Sequence, residues 1–309
     1  MREEQDIGMG SAPIIWAVGG GKGGVGKSVV STILAFWLAR MGKRTVLIDV
    51  DLGGANLHTL LGIKYPPRTL NDFINRKFGS LEEICIDTEA KNLRLISGSS
   101  EVLSLANPHF SQKIKLINHF SRLDADYVVI DLGAGTSFNV LDFFLAAHEK
   151  IVVLTPEPTS IQNAYIFVRN AVYRKLSRLS SKNPSLQTLV KIAMDPKNEL
   201  QVRSIKELLQ FIQDSGGKDV AGPIEKEIEA IRPSVITNMV RDNKKKNAGR
   251  IVQIIAEKYL MIQSTNLGSV SHDMQIFSMV SNMASLIKLD QSSHAFANIY
   301  EIVTKLLRD

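Results

Sequence analysis

Residues 19–28 read Gly19-Gly20-Gly21-Lys22-Gly23-Gly24-Val25-Gly26-Lys27-Ser28. From Gly21 the spacing is G-x-x-x-x-G-K-S, the pattern of a loop built to hold phosphate. Its glycines let several backbone N–H groups converge on phosphate oxygens, Lys27 neutralises charge, and Ser28 offers a hydroxyl to Mg²⁺. Gly21, Gly23, Gly24, Val25, Gly26, Lys27, Ser28 and Val29 are therefore the expected cradle. The flanks agree with it. Ile14 to Val18 is an apolar run suited to a buried parallel strand, and Val29, Ile33, Leu34, Trp37 and Leu38 recur at helical spacing up to Arg40.

Two further stretches carry acids at strand ends. Arg44 to Val50 is β-branched and apolar, with Asp49 and Asp51 at its carboxyl end, where open α/β sheets place their ligand crevice. Two carboxylates two residues apart on an extended chain point the same way, which suits holding metal-bound water and orienting an attacking one. Tyr127 to Asp131 is a second such strand, followed by Gly133 and Gly135, which permit close approach to a phosphate. Another, Pro233 to Asn238, ends in an amide that can both donate and accept at one purine edge, the pairing that suits adenine. ATP is expected over GTP, because Asn238 leads into Met-Val-Arg and nothing resembling a guanine-reading Lys-x-Asp follows.

Lys22 is an extra cation in a loop that already has Lys27, and its repulsion is relieved if a facing subunit brings negative charge. Lys-Gly-Gly-Val-Gly-Lys-Ser resembles the deviant phosphate-loop signature of the MinD/ParA family of ATPases. The resemblance implies an ATP-sandwiched homodimer in which Lys22 reaches the partner's phosphates. It also implies roles at the other motifs. Asp51 would orient the hydrolytic water, with Asp49 and Asp131 beside Mg²⁺. Gly53 and Asn56 would belong to a first switch, and Gly133 and Gly135 to a second that senses the γ-phosphate. Asn238 would read adenine. Thr155-Pro-Glu-Pro-Thr-Ser160 is similar to a phrase of the flagellar-number regulators FlhG/FleN, which implies control of a cell structure's position or number, with an activating protein partner.

Strand and helix signals alternate, which predicts a doubly wound, mostly parallel α/β sheet with helices on both faces. Strands are expected at 14–18, 44–50, 93–97, 127–131, 150–154, 233–238 and 267–270, and helices at 27–41, 111–122, 159–178, 199–214, 244–259 and 292–308. The 309 residues read as one ATPase domain with a flexible N-terminus at 1–13. Residues 180–232, punctuated by Asn183-Pro184, Asp195-Pro196, Gly216-Gly217 and Gly222-Pro223, read as a helical insertion. Its clearest helix aligns Leu200, Ile205, Leu208, Leu209 and Ile212 on one side.

A single cysteine, Cys85, excludes an internal disulfide and cannot by itself supply an iron–sulfur cluster. The first 13 residues are polar, so a cytoplasmic location is expected, with peripheral attachment to an inner membrane as its variant. The net charge of +6 concentrates at Arg241, Lys244, Lys245, Lys246 and Arg250. That run fits duplex DNA, an anionic membrane or a solvated turn. Residues 297–309 place Ile299, Ile302, Val303, Leu306 and Leu307 at helical spacing, as either a last core helix or a membrane-targeting one. Three other classes share the loop: a DNA-partitioning ATPase of ParA type, a metallochaperone bridged through Cys85, and a carboxylate-activating ligase.

Overall fold

The computed structural model describes residues 11–51, 54, 56–98, 110–195, 202–216, 218–290 and 292–308. Among these the strands are β1 (Ile14–Gly19), β2 (Thr45–Asp49), β3 (Ile86–Asp87), β4 (Leu93–Ile96), β5 (Tyr127–Asp131), β6 (Glu149–Leu154), β7 (Pro233–Val240) and β8 (Thr265–Ser271). The longer helices are α1 (Lys27–Arg40), α4 (Phe110–Phe120), α5 (Phe138–Ala146), α6 (Pro158–Leu179), α7 (Pro184–Met194), α8 (Ile205–Gly216), α9 (Lys218–Glu229), α10 (Ala248–Leu260), α11 (Met274–Ser281) and α12 (His294–Leu306). Two short ones, α2 (Leu57–Leu60) and α3 (Leu70–Ile74), lie in the connection after β2.

The sheet runs β3-β4-β2-β5-β1-β6-β7-β8, and every pairing is parallel except β3 with β4. Alternation along the central strands splits the core into two layers, as a sheet covered on both faces requires. Ile15, Ala17, Val46, Ile48, Val128 and Ile130 turn to the side packed by α5 to α10. Trp16, Val18, Leu47 and Val129 turn to the side packed by α1 and α12. The Trp37 indole N–H donates to the Phe296 carbonyl at 3.0 Å and fastens those two helices together.

Several expected boundaries move. Gly222-Pro223 does not break the chain but sits inside α9, where burial of Ala221, Ile224 and Ile228 outweighs the lost backbone bond. Asn183-Pro184 starts a helix, with the Asn183 side chain accepting from Leu186 N–H and proline at the first position. The helix expected from 199 begins at Ile205, and its buried Ile205, Leu208, Leu209 and Ile212 join the core; 196–201, with Leu200, lie outside the described residues. α10 begins at Ala248, because Asn243–Lys245 forms a separate turn in which Asp242 accepts from Lys244 N–H.

The C-terminal stripe proves to be a core face. Ile299, Ile302 and Val303 of α12 are buried against α1 and β8, Leu306 and Leu307 are half-buried on the same layer, and Tyr300 is exposed. No described helix is long and apolar enough to cross a membrane. Residues 1–10 of the expected flexible N-terminus lie outside the described residues.

Candidate nucleotide site

The phosphate loop joins β1 to α1 at the carboxyl edge of the sheet. Its glycines are needed for two different reasons. Gly24 and Gly26 take φ of +77° and +85°, a left-handed conformation that costs other residues strain, and Gly26 is the residue that opens α1. Gly20 and Gly21 are instead crowded: a Cβ would stand 2.7 Å from the Val153 carbonyl oxygen and 2.0 Å from that of Asn163. The loop is thus pressed onto β6 and the first turns of α6, with the free N–H groups of α1 opening beside it, an anion-binding end.

Lys27 is buried beneath the loop, and burial lowers its pKa against the opposing pull of Asp131 and Asp51. Asp131 accepts from the hydroxyls of Ser28 and Ser31, the latter at 2.8 Å. Asp49 and Asp131 are direct partners in the β2–β5 ladder and both are buried. Burial, and for Asp49 also the facing Asp131, raises both carboxyls. Asp49 accepts from Asp51 N–H at 3.1 Å, Asn56 N–H at 3.0 Å and Leu57 N–H at 3.1 Å. In this state it braces the start of α2, a task that the sequence alone did not reveal.

Asp51 faces the second glycine segment. A Cβ at Gly133 would lie 3.3 Å from the Asp51 carboxylate, so the segments after β2 and β5 lie side by side. Gly135 has φ of +89° and Asn56 opens α2, while Gly53 lies outside the described residues. Lys22 is exposed at the rim and close enough to Glu157, at the start of α6, to help hold that carboxyl low; a Thr155 hydrogen bond is the larger cause and Lys245 also contributes.

Asn238 is buried and donates to the Val25 carbonyl at 2.9 Å. It borders a cavity of about 580 Å³ whose wall includes Val29, Pro156, Met239, His272, Ile276 and Phe277. The chamber is large enough for a nucleoside and mostly apolar, as base pockets are. The segment His272–Phe277 was missed as a wall because nothing in its sequence marks it. Ser31 had a signal, one helical turn after Ser28 and so on the same face.

Among the described residues no three His, Cys, Asp or Glu side chains cluster as a metal cage. The donor set fits Mg²⁺ all the same, since that ion takes few protein ligands and keeps phosphate and water. Ser28 is placed to ligate, with Asp131 behind it. Cys85 is half-buried against the core, and burial pushes its thiol up to about 12.

A family model described as ParA, NUBPL iron-transfer P-loop NTPase, matches residues 12–172. The antiactivator FleN of Pseudomonas aeruginosa is 39% identical over 155 residues, half of this chain and 54% of FleN, so that match spans about half of the relative's length. The septum site-determining protein MinD of Buchnera aphidicola is 27% identical over 242 residues, 76% of this chain and 86% of that one. The structure of MinD with Mg-ADP from Pyrococcus horikoshii superposes with a TM-score of 0.63 at 16% identity, covering 95% and 96% of the two chains, which establishes the fold. With half the chain matched by the family model and the phosphate loop and the strand order in place, the chain belongs to the ParA/MinD family of P-loop NTPases.

Proposed function

We propose that the chain is a dimerising switch that binds and slowly hydrolyses ATP, with Mg²⁺, to set the position or number of a cellular structure. The flagellum site-determining protein YlxH of Helicobacter pylori and the septum site-determining protein MinD carry names of that kind. The observation that carries the reading is the proximity of the Asp51 carboxylate to Gly133, close enough that an added Cβ there would lie 3.3 Å from it. A γ-phosphate in the loop would meet both switch segments at once, so the triphosphate and diphosphate states favour different switch positions.

Each residue then has a task. Lys27 holds the chain's own phosphates, and exposed Lys22 reaches those of a second copy. Asp51 orients the attacking water. Ser28, with Asp131 and Asp49 through the water shell, would hold Mg²⁺, which when bound neutralises charge on the phosphates. Asn238 reads the adenine edge from the wall of the cavity. Turnover acts as a timer that reopens the dimer, hastened by an activating protein at a cytoplasmic or inner-membrane location.

Light scattering after size exclusion tests this with ATP and with ADP. The parental chain should dimerise with ATP, Asp51→Ala should stay dimeric, and Lys22→Ala should bind ATP as a monomer. An ATP-bound Lys22→Ala dimer contradicts the trans role of that lysine.

A second reading, ATP-dependent DNA partitioning, is favoured by one feature: Arg241, Lys244, Lys245, Lys246 and Arg250 are all exposed. It requires DNA binding that falls steeply with salt and disappears when the three lysines become Glu. The metallochaperone reading requires two copies to bridge a cluster through Cys85, the single cysteine of the chain, which is half-buried against the core.

A further inference from the structure

Among the described residues, five other than glycine hold a positive φ. Arg76, Met261 and Met283 each follow the end of a helix, and Asn92 turns the chain between β3 and β4, places where a left-handed residue is ordinary. Met239, at φ of +57°, is the one that stands inside a strand. A left-handed backbone strains any residue with a Cβ, and methionine has no short polar side chain to offset it locally, as asparagine has.

The strain follows from the strand pairing. Thr237 pairs with Ser269 and Val240 with Ser271, so Asn238 and Met239 together oppose the single residue Val270. This is a β-bulge, whose left-handed position is ordinarily glycine. Bulges re-aim side chains, and this one sends two of them to the same place. A Cβ built on Gly26 would stand 2.3 Å from the Asn238 side-chain nitrogen and 3.2 Å from the Met239 terminal methyl. Asn238 also donates to the Val25 carbonyl, so the bulge grips two successive residues of the phosphate loop.

Both residues also border the cavity of about 580 Å³, beside Val29 and His272. Glycine at 239 would satisfy the backbone without strain, but it would leave that wall without a side chain. Met239 is 37% exposed, its methyl end reaching Gly26 while the residue lines the open volume. A thioether is polarizable and packs favourably against aromatic rings, and a purine is one. Strain held beside a binding cavity points to a task for the side chain that bears it.

We propose that Met239 is a purine-contacting residue, held in a strained bulge so that its thioether meets the base of the bound nucleotide while its methyl braces Gly26. Asn238 reads the edge of the base and Met239 covers the ring, two consecutive residues of one bulge dividing the recognition between them. The inference rests on the nucleotide reading proposed above.

The test is calorimetric titration of the full chain with Mg-ATP and with Mg-tripolyphosphate, which has no base, beside thermal melts of the unliganded protein. Met239→Gly removes side chain and strain together, Met239→Ala removes the side chain and keeps the strain, and Met239→Leu keeps an apolar side chain of similar volume on the same backbone. The glycine variant should melt about 2–4 °C above the alanine variant. ATP should nevertheless bind to both roughly five- to tenfold more weakly than to the parent, with tripolyphosphate affinity unchanged and the leucine variant close to parental. If Met239 only supports the loop, ATP and tripolyphosphate weaken together, and the less stable alanine variant weakens more; that pattern overturns the proposal. Parental ATP affinity in the glycine and alanine variants, or an alanine variant as stable as the glycine one, overturns it as well. A parental chain that binds no ATP removes the nucleotide reading itself, whereas ATP binding indifferent to position 239 removes this inference alone.

Discussion

The Asn238 side-chain amide donates to the Val25 carbonyl at 2.9 Å, tying the end of β7 to a loop 213 positions earlier in the chain. The bond is buried, so the loop's shape depends on a residue that the loop motif does not contain. In Asn238→Ala the carbonyl loses its donor, at a cost of about 1–3 kcal/mol. A lower melting temperature and roughly tenfold weaker ATP binding are expected, the latter read by fluorescent-nucleotide titration. Parental values for both would show that neither the clamp nor the base contact matters.

Gly21 and Gly23 look equivalent in the motif and differ in space. A methyl at Gly21 would stand 2.0 Å from the Asn163 carbonyl oxygen, whereas at Gly23 the nearest atom is the Ala134 Cβ at 4.0 Å. Gly21→Ala should therefore displace the loop from α6 and abolish measurable ATP binding. Gly23→Ala should fold with parental stability and retain nucleotide. The opposite ranking in a paired titration and melt would refute the packing assignment.

Gly133→Ala places a methyl 3.3 Å from the Asp51 carboxylate, tight enough that one switch segment must give way by a few tenths of an ångström. ATP binding should persist, because the cradle is untouched, while hydrolysis falls by about tenfold or more if Asp51 orients water. Phosphate release under single turnover reads this directly. Parental turnover would separate Asp51 from the chemistry.

Asp142 is buried between Lys113 and Arg174, with Arg174 donating to its two oxygens at 2.7 and 2.8 Å. Burial alone would raise the carboxyl, but the two cations more than offset it and hold it below the ordinary range. The stabilisation is thus complete above the unfolded carboxylate value of about 3.9 and is lost as pH falls through the lower folded value. Asp142→Asn leaves two cations facing a neutral group and should cost about 3–5 kcal/mol in urea unfolding at neutral pH. In acid the gap between variant and parent should close; a gap that is the same at both pH values would mean that the charge contributes nothing.

Which parts of the chain were readable in advance follows from where the decisive interactions are made. Ile14–Val18, Tyr127–Asp131 and Lys150–Leu154 were recognisable because a strand buried on both faces has to be apolar throughout. α9 was hidden by Gly222-Pro223, since local propensity argues against a helix and only the burial of Ile224 and Ile228 in the common core favours one. α5 and α11 were passed over although each has an N-cap, Ser137 and Asp273, because both lie close behind motifs that read as loop.

The sequence by itself determined the family, the parallel sheet and the phosphate loop, because these rest on short-range patterns: glycine spacing, strand apolarity and an acid at a strand's end. Tertiary structure alone decided which loop glycines are crowded, that Asp49 braces α2 beside Asp131, and that Asn238 holds the loop through Val25. It also decided the fate of two similar apolar stretches. α12 is drawn under the sheet because α1 offers it Trp37 and Phe36, whereas α11 finds only part of a surface and keeps Met274 and Phe277 in water. Periodicity records that a helix has an apolar side, but whether anything covers that side depends on partners far away in the chain.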